Sequence, residues 1–319
     1  MPNENGLSIL IPVFNHAVAP LVRELRAQVA DWPGPVEIIC LDDGSEADYR
    51  HLNRPLAALP GVRYEELPAN RGRAACRNQL AARARHEWLL LLDNDGRLPD
   101  AHFLRRYAEA RHRAPVLEGG ISYAPAPPAE AALQLRYRYA TAREARPAAV
   151  RNQAPYRQLM LNNLLIKAAV FRRFPLNEQL RHYGHEDTQL GWELRRAAVP
   201  VLRLANPVRH DEGLEPAAVF LAKSRHAVHN LVLLWRASGG EGGVGIERES
   251  RLLQLALRLR RLGLAGAARR ALRAAAPALR RNLRSADPDL RRFDLLRLLW
   301  TLDELAGVGE APATFGPPT

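Results

Sequence analysis

Two carboxylates lie one residue apart directly after an unbroken run of leucines. The leucines are residues 89–92, and Asp93 and Asp95 follow them with Asn94 in between. The apolar run predicts a buried strand, so the two acids are expected where that strand emerges into solvent. Carboxylate oxygens suit hard divalent cations, and a cation held in this way can bind a diphosphate. The spacing therefore predicts a site for a divalent metal and a phosphate-bearing ligand.

Two further polar clusters follow apolar stretches earlier in the chain. At Asp42 and Asp43, a carboxylate can accept a hydrogen bond from a uracil N3–H or a ribose hydroxyl, although a turn that caps the next helix explains these acids equally well. In residues 70–72, Asn-Arg-Gly, the glycine permits close approach of a ligand and Arg71 can contact a base or a diphosphate. An ordinary helix start in an arginine-rich chain is the alternative there.

A pair of acids opens a predicted amphipathic helix late in the chain. Glu186 and Asp187 precede Leu190 and Leu194, which share the apolar face of that helix. Acids at a helix start are stabilised by the helix dipole, so a capping role explains their position. It does not explain the bulky polar residues before them, and a carboxylate at a helix start can act as a general base.

His210 is a candidate second metal ligand. The imidazole of this histidine, late in the chain, could complete the coordination shell of a metal ion that Asp95 binds. A lone histidine is more often structural or on the surface, and that alternative stays open.

The elements that would position these clusters alternate between strand and helix patterns. The predicted strands span residues 7–13, 36–41, 62–67 and 87–92, with helical spacing between them. This alternation predicts a doubly wound parallel sheet, and right-handed crossovers bring the carboxyl ends of its strands to one edge. The clusters after the four strands, including residues 12–15, therefore meet at one edge, where open α/β sheets bind ligands.

Composition indicates a folded protein in a reducing compartment. The 319 residues are 47% hydrophobic and 25% charged, as in ordinary globular proteins. The amino terminus lacks a secretory signal pattern, and no apolar run approaches the roughly 18 residues of a membrane span, which favours the cytoplasm. Cys40 and Cys76 are therefore interpreted as small buried residues rather than as a disulfide.

Positive charge is concentrated near the carboxyl end. The chain carries +12, and between Arg248 and Arg297 fourteen arginines face four acids, which gives that segment +10. A solvated arginine-rich helical face is one interpretation, and attraction to anionic lipid or a polyanionic partner is the other. Nucleic-acid recognition is not predicted, because the segment almost lacks aromatic residues before Phe293 and contains no known reading motif.

The order of the motifs resembles that of the family 2 glycosyltransferases of the GT-A type. The resemblance covers residues 7–211. It rests on residues 7–15, 42–45, 70–72, 92–95 and 184–187, the last followed by Leu190-Gly191-Trp192. It implies an α/β fold class, a GT-A type doubly wound, mostly parallel sheet with flanking helices, to which this chain adds a C-terminal α-helical extension. The part after Gly245 matches nothing in that family.

The resemblance also predicts a division of the chain. Residues 1–237 are expected to form the GT-A glycosyltransferase domain, with the nucleotide-binding half in 1–100 and the acceptor half in 101–237. Five glycines mark 238–246 as a linker. Residues 247–308 are predicted as an arginine-rich α-helical extension, with helices near 247–262, 265–283 and 288–306. A disordered tail is expected over 309–319.

Site roles follow from the same resemblance. Asp95 would ligate Mn²⁺ or Mg²⁺ with His210 as second ligand, and Asp187 would be the catalytic base, supported by Glu186. The implied contacts to the nucleotide-sugar are Pro12, Val13, Asn15, Asp42, Asp43, Arg71, Asp93, Asn94 and Asn163. Trp192 and His185 would meet the acceptor, although a core position suits Trp192 equally well. Many members have a small residue where this chain has Asn94. This departure leaves the implied metal role intact, but the resemblance then does not fix which sugar donor is preferred.

The implied activity is metal-dependent, inverting transfer of a sugar from a nucleotide-diphosphate sugar to a hydroxyl. UDP-sugars are favoured, and the acceptor would be a glycan or a lipid-linked molecule of cell-surface polysaccharide or glycolipid synthesis. The protein would work in the cytoplasm, peripherally at the inner face of the cell membrane, with residues 247–297 on anionic lipid. The alternative is a non-catalytic nucleotide-binding scaffold of a polysaccharide-assembly complex. A dinucleotide enzyme is disfavoured, because no G-x-G-x-x-G follows the first strand.

Overall fold

The apolar runs predicted as strands form the first half of a seven-stranded sheet. A computed structural model describes residues 5–180, 184–210, 214–243 and 245–308 of the protein, so the predicted tail 309–319 lies outside the described residues. The strands are β1 (Leu7–Val13), β2 (Val36–Asp42), β3 (Val62–Glu66), β4 (Trp88–Leu92), β5 (Val116–Glu118), β6 (Ile121–Ser122), β7 (Asn163–Lys167), β8 (Val201–Arg203) and β9 (Val208–Arg209).

Strand order confirms the predicted fold class. The large sheet runs β3-β2-β1-β4-β7-β5-β8, and β6 pairs with β9 in a separate two-stranded sheet. The first four strands are parallel, β7 is antiparallel to both of its neighbours, and β5 and β8 are parallel to each other. The sheet is thus mostly parallel, and its strands are apolar on both faces because helices cover both faces.

The helices are bounded largely as the periodicity indicates. They are α1 (Ala19–Arg26), α2 (Ala47–Asn53), α3 (Arg73–Arg83), α4 (Phe103–Ala110), α5 (Gln134–Tyr139), α6 (Ala148–Arg151), α7 (Ala168–Arg173), α8 (Glu186–Arg196), α9 (Ala217–Ala237), α10 (Arg251–Arg261), α11 (Ala265–Leu283) and α12 (Leu290–Leu305). The helix predicted over 247–262 is divided, since the Ser250 side chain accepts a hydrogen bond from Leu253 N and starts α10 after a 3₁₀ turn.

Each face of the large sheet has its own apolar core. Residues such as Ile9 and Leu90 pack with α1 and α4 on one face, and Leu10 and Leu89 pack with α3 and α8 on the other. Cys40 belongs to the first core and Cys76 to the second, and both thiols are free. Burial raises the pKa of each thiol to about 12, which keeps both protonated and unreactive at neutral pH.

The chain forms two compact units. The first consists of Met1–Ala124, Arg143–Arg181 and Glu186–Gly213, and it contains both sheets. The second consists of Pro125–Ala142, His182–His185 and Leu214–Thr319. It therefore includes α9, upstream of the predicted domain boundary at residue 237. The predicted functional domains stay a prediction.

The core of the second unit explains why α9 groups with the later helices. Phe220 of α9 lies 5.3 Å from Phe293 of α12 and 5.2 Å from Tyr139, measured between ring centroids. Aromatic clusters of this kind stabilise packing by more than their buried area alone would give. The cluster therefore packs α9 against α12, and α9 belongs to the same unit as the later helices. Among the described residues, none of the helices combines the length and apolar character needed to cross a membrane.

Candidate active site

Asp95 and His210 form a close pair in the first unit. His210 Nε2 lies 2.8 Å from Asp95 Oδ2. Backbone pairing creates this contact: Arg97 and Arg209 exchange two hydrogen bonds of 2.8 Å, and His210 N donates to Ser122 O at 2.9 Å. The turn after β4 is thereby joined to β9, although the two segments lie more than a hundred residues apart.

The electrostatics of this pair suit a divalent cation. Burial raises the pKa of Asp95, but the hydrogen bond and charge of His210 outweigh it, so the pKa lies below its ordinary range. Asp95 Oδ1 is buried and accepts no hydrogen bond from the residues the structure describes. Within those residues, no group of three His, Cys, Asp or Glu side chains could hold a metal. A cation held by Asp95 and His210 would complete its shell with phosphate oxygens and water, as Mg²⁺ commonly does.

Arg77 connects two motifs that are far apart in sequence. Its Nη2 lies 2.6 Å from Asp93 Oδ1, and its Nη1 lies 3.7 Å from Glu186 Oε1. Sequence reasoning assigned Arg77 no role. The available signal was its place on the apolar stripe of α3 beside Ala74 and Leu80, where an arginine is buried only if acids surround it. The acids after β4 and at the start of α8 therefore meet at one guanidinium.

Arg77→Met is expected to lower the free energy of unfolding by about 3 to 5 kcal/mol, because it leaves Asp93 and Glu186 without their shared cation. Urea denaturation at pH 7 measures this loss. Arg105→Met is the matched control, since it removes an arginine from the solvent-exposed pair with Glu109 and should leave the free energy of unfolding almost unchanged. Equal losses in the two variants would contradict the structural importance of Arg77.

Asp187 lies in the first turn of α8 with a perturbed pKa. Burial raises the pKa of this carboxyl to about 7, and the charge of Glu186 adds to the shift, while hydrogen bonds from Thr188 oppose it. Asp187 Oδ1 accepts from Thr188 N at 2.7 Å and from the Thr188 hydroxyl at 3.3 Å. A carboxylate that titrates near neutral pH is matched to proton abstraction by a general base.

The two acids at the end of β2, Asp42 and Asp43, mainly accept hydrogen bonds that fix the neighbouring backbone. Asp43 accepts from Arg71 N at 2.7 Å and from Gly72 N at 3.0 Å, and burial raises its pKa despite these hydrogen bonds. Asp42 is fully buried and accepts from Ser45 N and the Tyr64 hydroxyl. Asp43 thus holds the loop that presents the exposed Arg71, and Asp42 holds its own turn. Direct contacts of these acids to a nucleotide stay predictions.

Gly44 allows this turn to lie close to the loop of residues 70–72. Its φ is +80°, a backbone conformation that side chains rarely adopt, and a Cβ there would lie 2.6 Å from Asn70 N. A larger residue would push the two loops apart.

The end of β1 joins the same edge through its backbone. Val13 O accepts from Asp43 N at 2.8 Å, and Asn15 N donates to Ser45 Oγ at 2.9 Å. Asn15 adopts φ +45° and exchanges side-chain hydrogen bonds with Glu46. The structure therefore brings the ends of β1 and β2 together as predicted, with Pro12 beside them in β1. Contacts of Pro12, Val13 and Asn15 to a nucleobase stay predictions.

Asn163 and Trp192 are held inside the first unit. Asn163 is fully buried, donates to the carbonyls of Gly120 and Asn206, and accepts from the Tyr107 hydroxyl at 2.7 Å. Trp192 is 8% exposed. This geometry gives Asn163 a structural role and favours the core interpretation of Trp192, while Asn94 is half-buried beside Asp93 and Asp95.

His185 belongs to the second unit. Burial and the charge of Arg297 lower its pKa to about 3, so the imidazole is neutral at physiological pH. The preceding Gly184 packs against α9, where its carbonyl accepts from Asn230 Nδ2 at 2.9 Å. Contact of His185 with an acceptor stays a prediction.

Comparison with known proteins identifies the family. The profile of the family described as "Glycosyl transferase family 2" matches residues 8–172, more than half of the chain. The chain belongs to glycosyl transferase family 2. The match includes β1 to β4 and the acids after β4, whereas Asp187 and His210 lie beyond it. The protein is accordingly a glycosyltransferase that uses a nucleotide-sugar donor.

This family 2 member is similar to several solved structures, and the first of those below supports its fold. The mannosyltransferase PcManGT from Pyrobaculum calidifontis, in complex with GDP-Man and Mn²⁺, is 15% identical, with a TM-score of 0.57 over 94% of this chain and 86% of that one. Residues 1–349 of TarS from S. aureus are 15% identical, with a TM-score of 0.48 over 96% and 92%. The glucosyl-3-phosphoglycerate synthase from Mycobacterium tuberculosis is 16% identical, with a TM-score of 0.49 over 72% and 79%. No curated protein matches the sequence.

Proposed function

We propose that this glycosyltransferase is metal-dependent and inverting, and that it takes its sugar from a UDP-sugar. The observation that carries the proposal is the guanidinium of Arg77, which contacts both Asp93 of the D-x-D turn and Glu186 beside Asp187. The turn proposed to bind the diphosphate and the proposed base Asp187, whose pKa is about 7, therefore belong to one cluster of charged side chains. The Mn²⁺ in the structure of PcManGT, whose fold this chain shares, is consistent with a divalent ion.

The chain's own residues account for the expected steps. Asp95 and His210 would hold Mn²⁺ or Mg²⁺, which when bound supplies positive charge to the departing nucleoside diphosphate. Asp187 takes the proton of the acceptor hydroxyl as that oxygen attacks the anomeric carbon from the face opposite the leaving group, so an α-linked donor gives a β-glycoside. A single carboxylate suffices because the diphosphate leaves without protonation, unlike the leaving group in two-acid hydrolases.

Nucleotide preference is the first test. Calorimetric titration with UDP, GDP, dTDP and CDP, each with Mn²⁺ or with EDTA, is expected to show Mn²⁺-dependent binding that is tightest for UDP. Tighter binding of another nucleotide would correct the donor class and leave the transferase site intact. Binding of no nucleotide under either condition would contradict the proposed site.

The second unit is proposed to bind anionic membrane, where a lipid-linked acceptor of cell-surface polysaccharide or glycolipid synthesis would be found. Arg258 and Arg261 are exposed and form no ion pair with other described residues, and Leu255 and Leu262 of the same segment are 46% and 60% exposed. Exposed leucines beside unpaired arginines are typical of surfaces that bind the lipid interface.

Co-sedimentation of the full chain with vesicles tests this surface. Binding to phosphatidylserine-containing vesicles should exceed binding to phosphatidylcholine alone, and it should weaken as salt rises. The double variant Arg258→Glu/Arg261→Glu is expected to bind at least about tenfold more weakly. Arg23→Glu/Arg172→Glu, which reverses two exposed arginines of the first unit, is the matched control. If binding to phosphatidylserine-containing vesicles changes neither with salt nor in either double variant, electrostatic binding by this surface is excluded.

A further inference from the structure

A cleft of about 720 Å³ lies among α9, α11 and α12 of the second unit. Its volume is within the range of small-molecule sites. Its lining residues are Arg225 from α9; Arg273, Ala276, Pro277 and Arg280 from α11; Leu299, Trp300 and Asp303 from α12; and Val308. The cleft therefore combines a cationic part with an apolar part.

The charges of the cleft favour an anion. Three arginines line it, against the single carboxylate of Asp303. Arg273 Nη2 lies 2.6 Å from Asp303 Oδ1, so that acid is already compensated. Arg280 is exposed and forms no ion pair within 4 Å with any other residue that the structure describes. Several guanidiniums around one cavity are the arrangement that proteins use to bind phosphate oxygens.

A buried donor in the lining gives a second, independent indication of a ligand. Trp300 is 6% exposed, and its indole Nε1 is buried without a hydrogen-bond partner among the described residues. Leaving such a group unsatisfied costs about 1 to 3 kcal/mol. The ring lines the cleft but Nε1 has almost no exposed surface, so an acceptor oxygen of a phosphate reaches this N–H through a small shift of the lining residues and then removes the cost.

We propose that this cleft is a binding site for a phosphate group, carried by a lipid or free in solution. The guanidiniums of Arg280 and Arg273 bind its oxygens, and the indole N–H of Trp300 donates a further hydrogen bond. Pro277 and Leu299 form the apolar wall that an acyl chain next to the phosphate would contact. The site lies on helices outside the range matched by the family profile and requires neither a nucleotide nor a metal.

Calorimetric titration of the full chain tests the site, with inorganic phosphate and monomeric dihexanoyl phosphatidic acid as probes. Phosphatidic acid that binds at least tenfold more tightly assigns the site to lipid phosphate, and equal affinities assign it to free phosphate. Both results support the proposal only if Arg280→Glu weakens binding at least tenfold. If neither probe binds, the proposal is overturned.

Two matched controls separate the cleft from general charge and from altered folding. Arg23→Glu makes the same charge change at an exposed arginine of α1 in the first unit, outside the cleft, and should keep native affinity for both probes. Trp300→Phe removes the indole N–H together with part of the ring from the lining and should weaken binding. Trp235→Phe makes the same change at another buried indole without a hydrogen-bond partner among the described residues, outside the cleft, and should not. Equal loss in Arg23→Glu, or binding that persists in Arg280→Glu, overturns the proposal, because the phosphate is then bound elsewhere.

Discussion

Replacement of Asp187 by asparagine is expected to lower kcat by about 10³-fold while leaving affinity for the nucleotide near that of the native protein. Asparagine preserves the shape of the side chain but cannot take a proton, and loss of a general base costs roughly 10² to 10⁴ in rate. Steady-state kinetics with a sugar donor and calorimetry with its nucleotide measure the two effects separately. Glu193→Gln is the matched control, since it neutralises another acid of α8 that is hydrogen-bonded to Gln189.

The same residue predicts the pH dependence of activity. With a pKa of about 7, Asp187 is protonated and inactive as a base in acid, so kcat should rise through pH 7 and reach a plateau above it. Near-native turnover of the asparagine variant, with an unchanged pH profile, would show that another group is the base.

Asp187 also predicts how stability varies with pH. Its folded pKa, about 7, lies above its ordinary value of 3.8, so between these values the folded state holds more protons than the unfolded state. Its stabilising contribution is therefore present at low pH and is lost as the pH rises through 7. Asp187→Asn should consequently raise the melting temperature relative to the native protein at pH 8 and change it little near pH 4. A melting temperature that fell at pH 8 would contradict this assignment.

Replacement of Asp95 by alanine is expected to abolish the effect of Mn²⁺ on nucleotide affinity and to lower kcat/KM by about 10³-fold. The variant removes the buried oxygen Oδ1 and the hydrogen-bond partner of His210, so a cation would lose its carboxylate ligand. EDTA should bring the native protein to the level of the variant and leave the variant unchanged. Titration of UDP with and without Mn²⁺ makes the comparison.

Asp100→Asn is the control for Asp95. Asp100 follows in the same connection after β4, but its carboxylate is exposed and paired with Arg106, so its loss should affect neither metal dependence nor rate. His210→Gln should have a smaller effect than Asp95→Ala, because Asp95 remains as the charged ligand. Mn²⁺ dependence that survives in Asp95→Ala would place the metal elsewhere.

The sequence by itself determined the four parallel strands of the first half of the sheet and the edge at which their motifs meet. A short apolar run such as Leu89 to Leu92, bounded by polar residues, predicts a strand buried on both faces, and the polar residues after each such strand are expected at one edge of a parallel sheet. The bounds of β1, and those of α11 over Ala265–Leu283, were accordingly predicted from the sequence. Local periodicity carries this information, because each element needs only the residues within it to define its buried face.

Tertiary structure decided which of the polar residues combine. Arg77 lies between Asp93 and Glu186, and Asn163 lies in a buried hydrogen-bond network with Tyr107, through contacts between residues far apart in sequence. The cleft at Arg280 and Trp300 arises in the same way from three packed helices. Periodicity gives the face on which a residue lies but not its partner across the interface, so side-chain charges and hydrogen bonds are paired only when the elements pack.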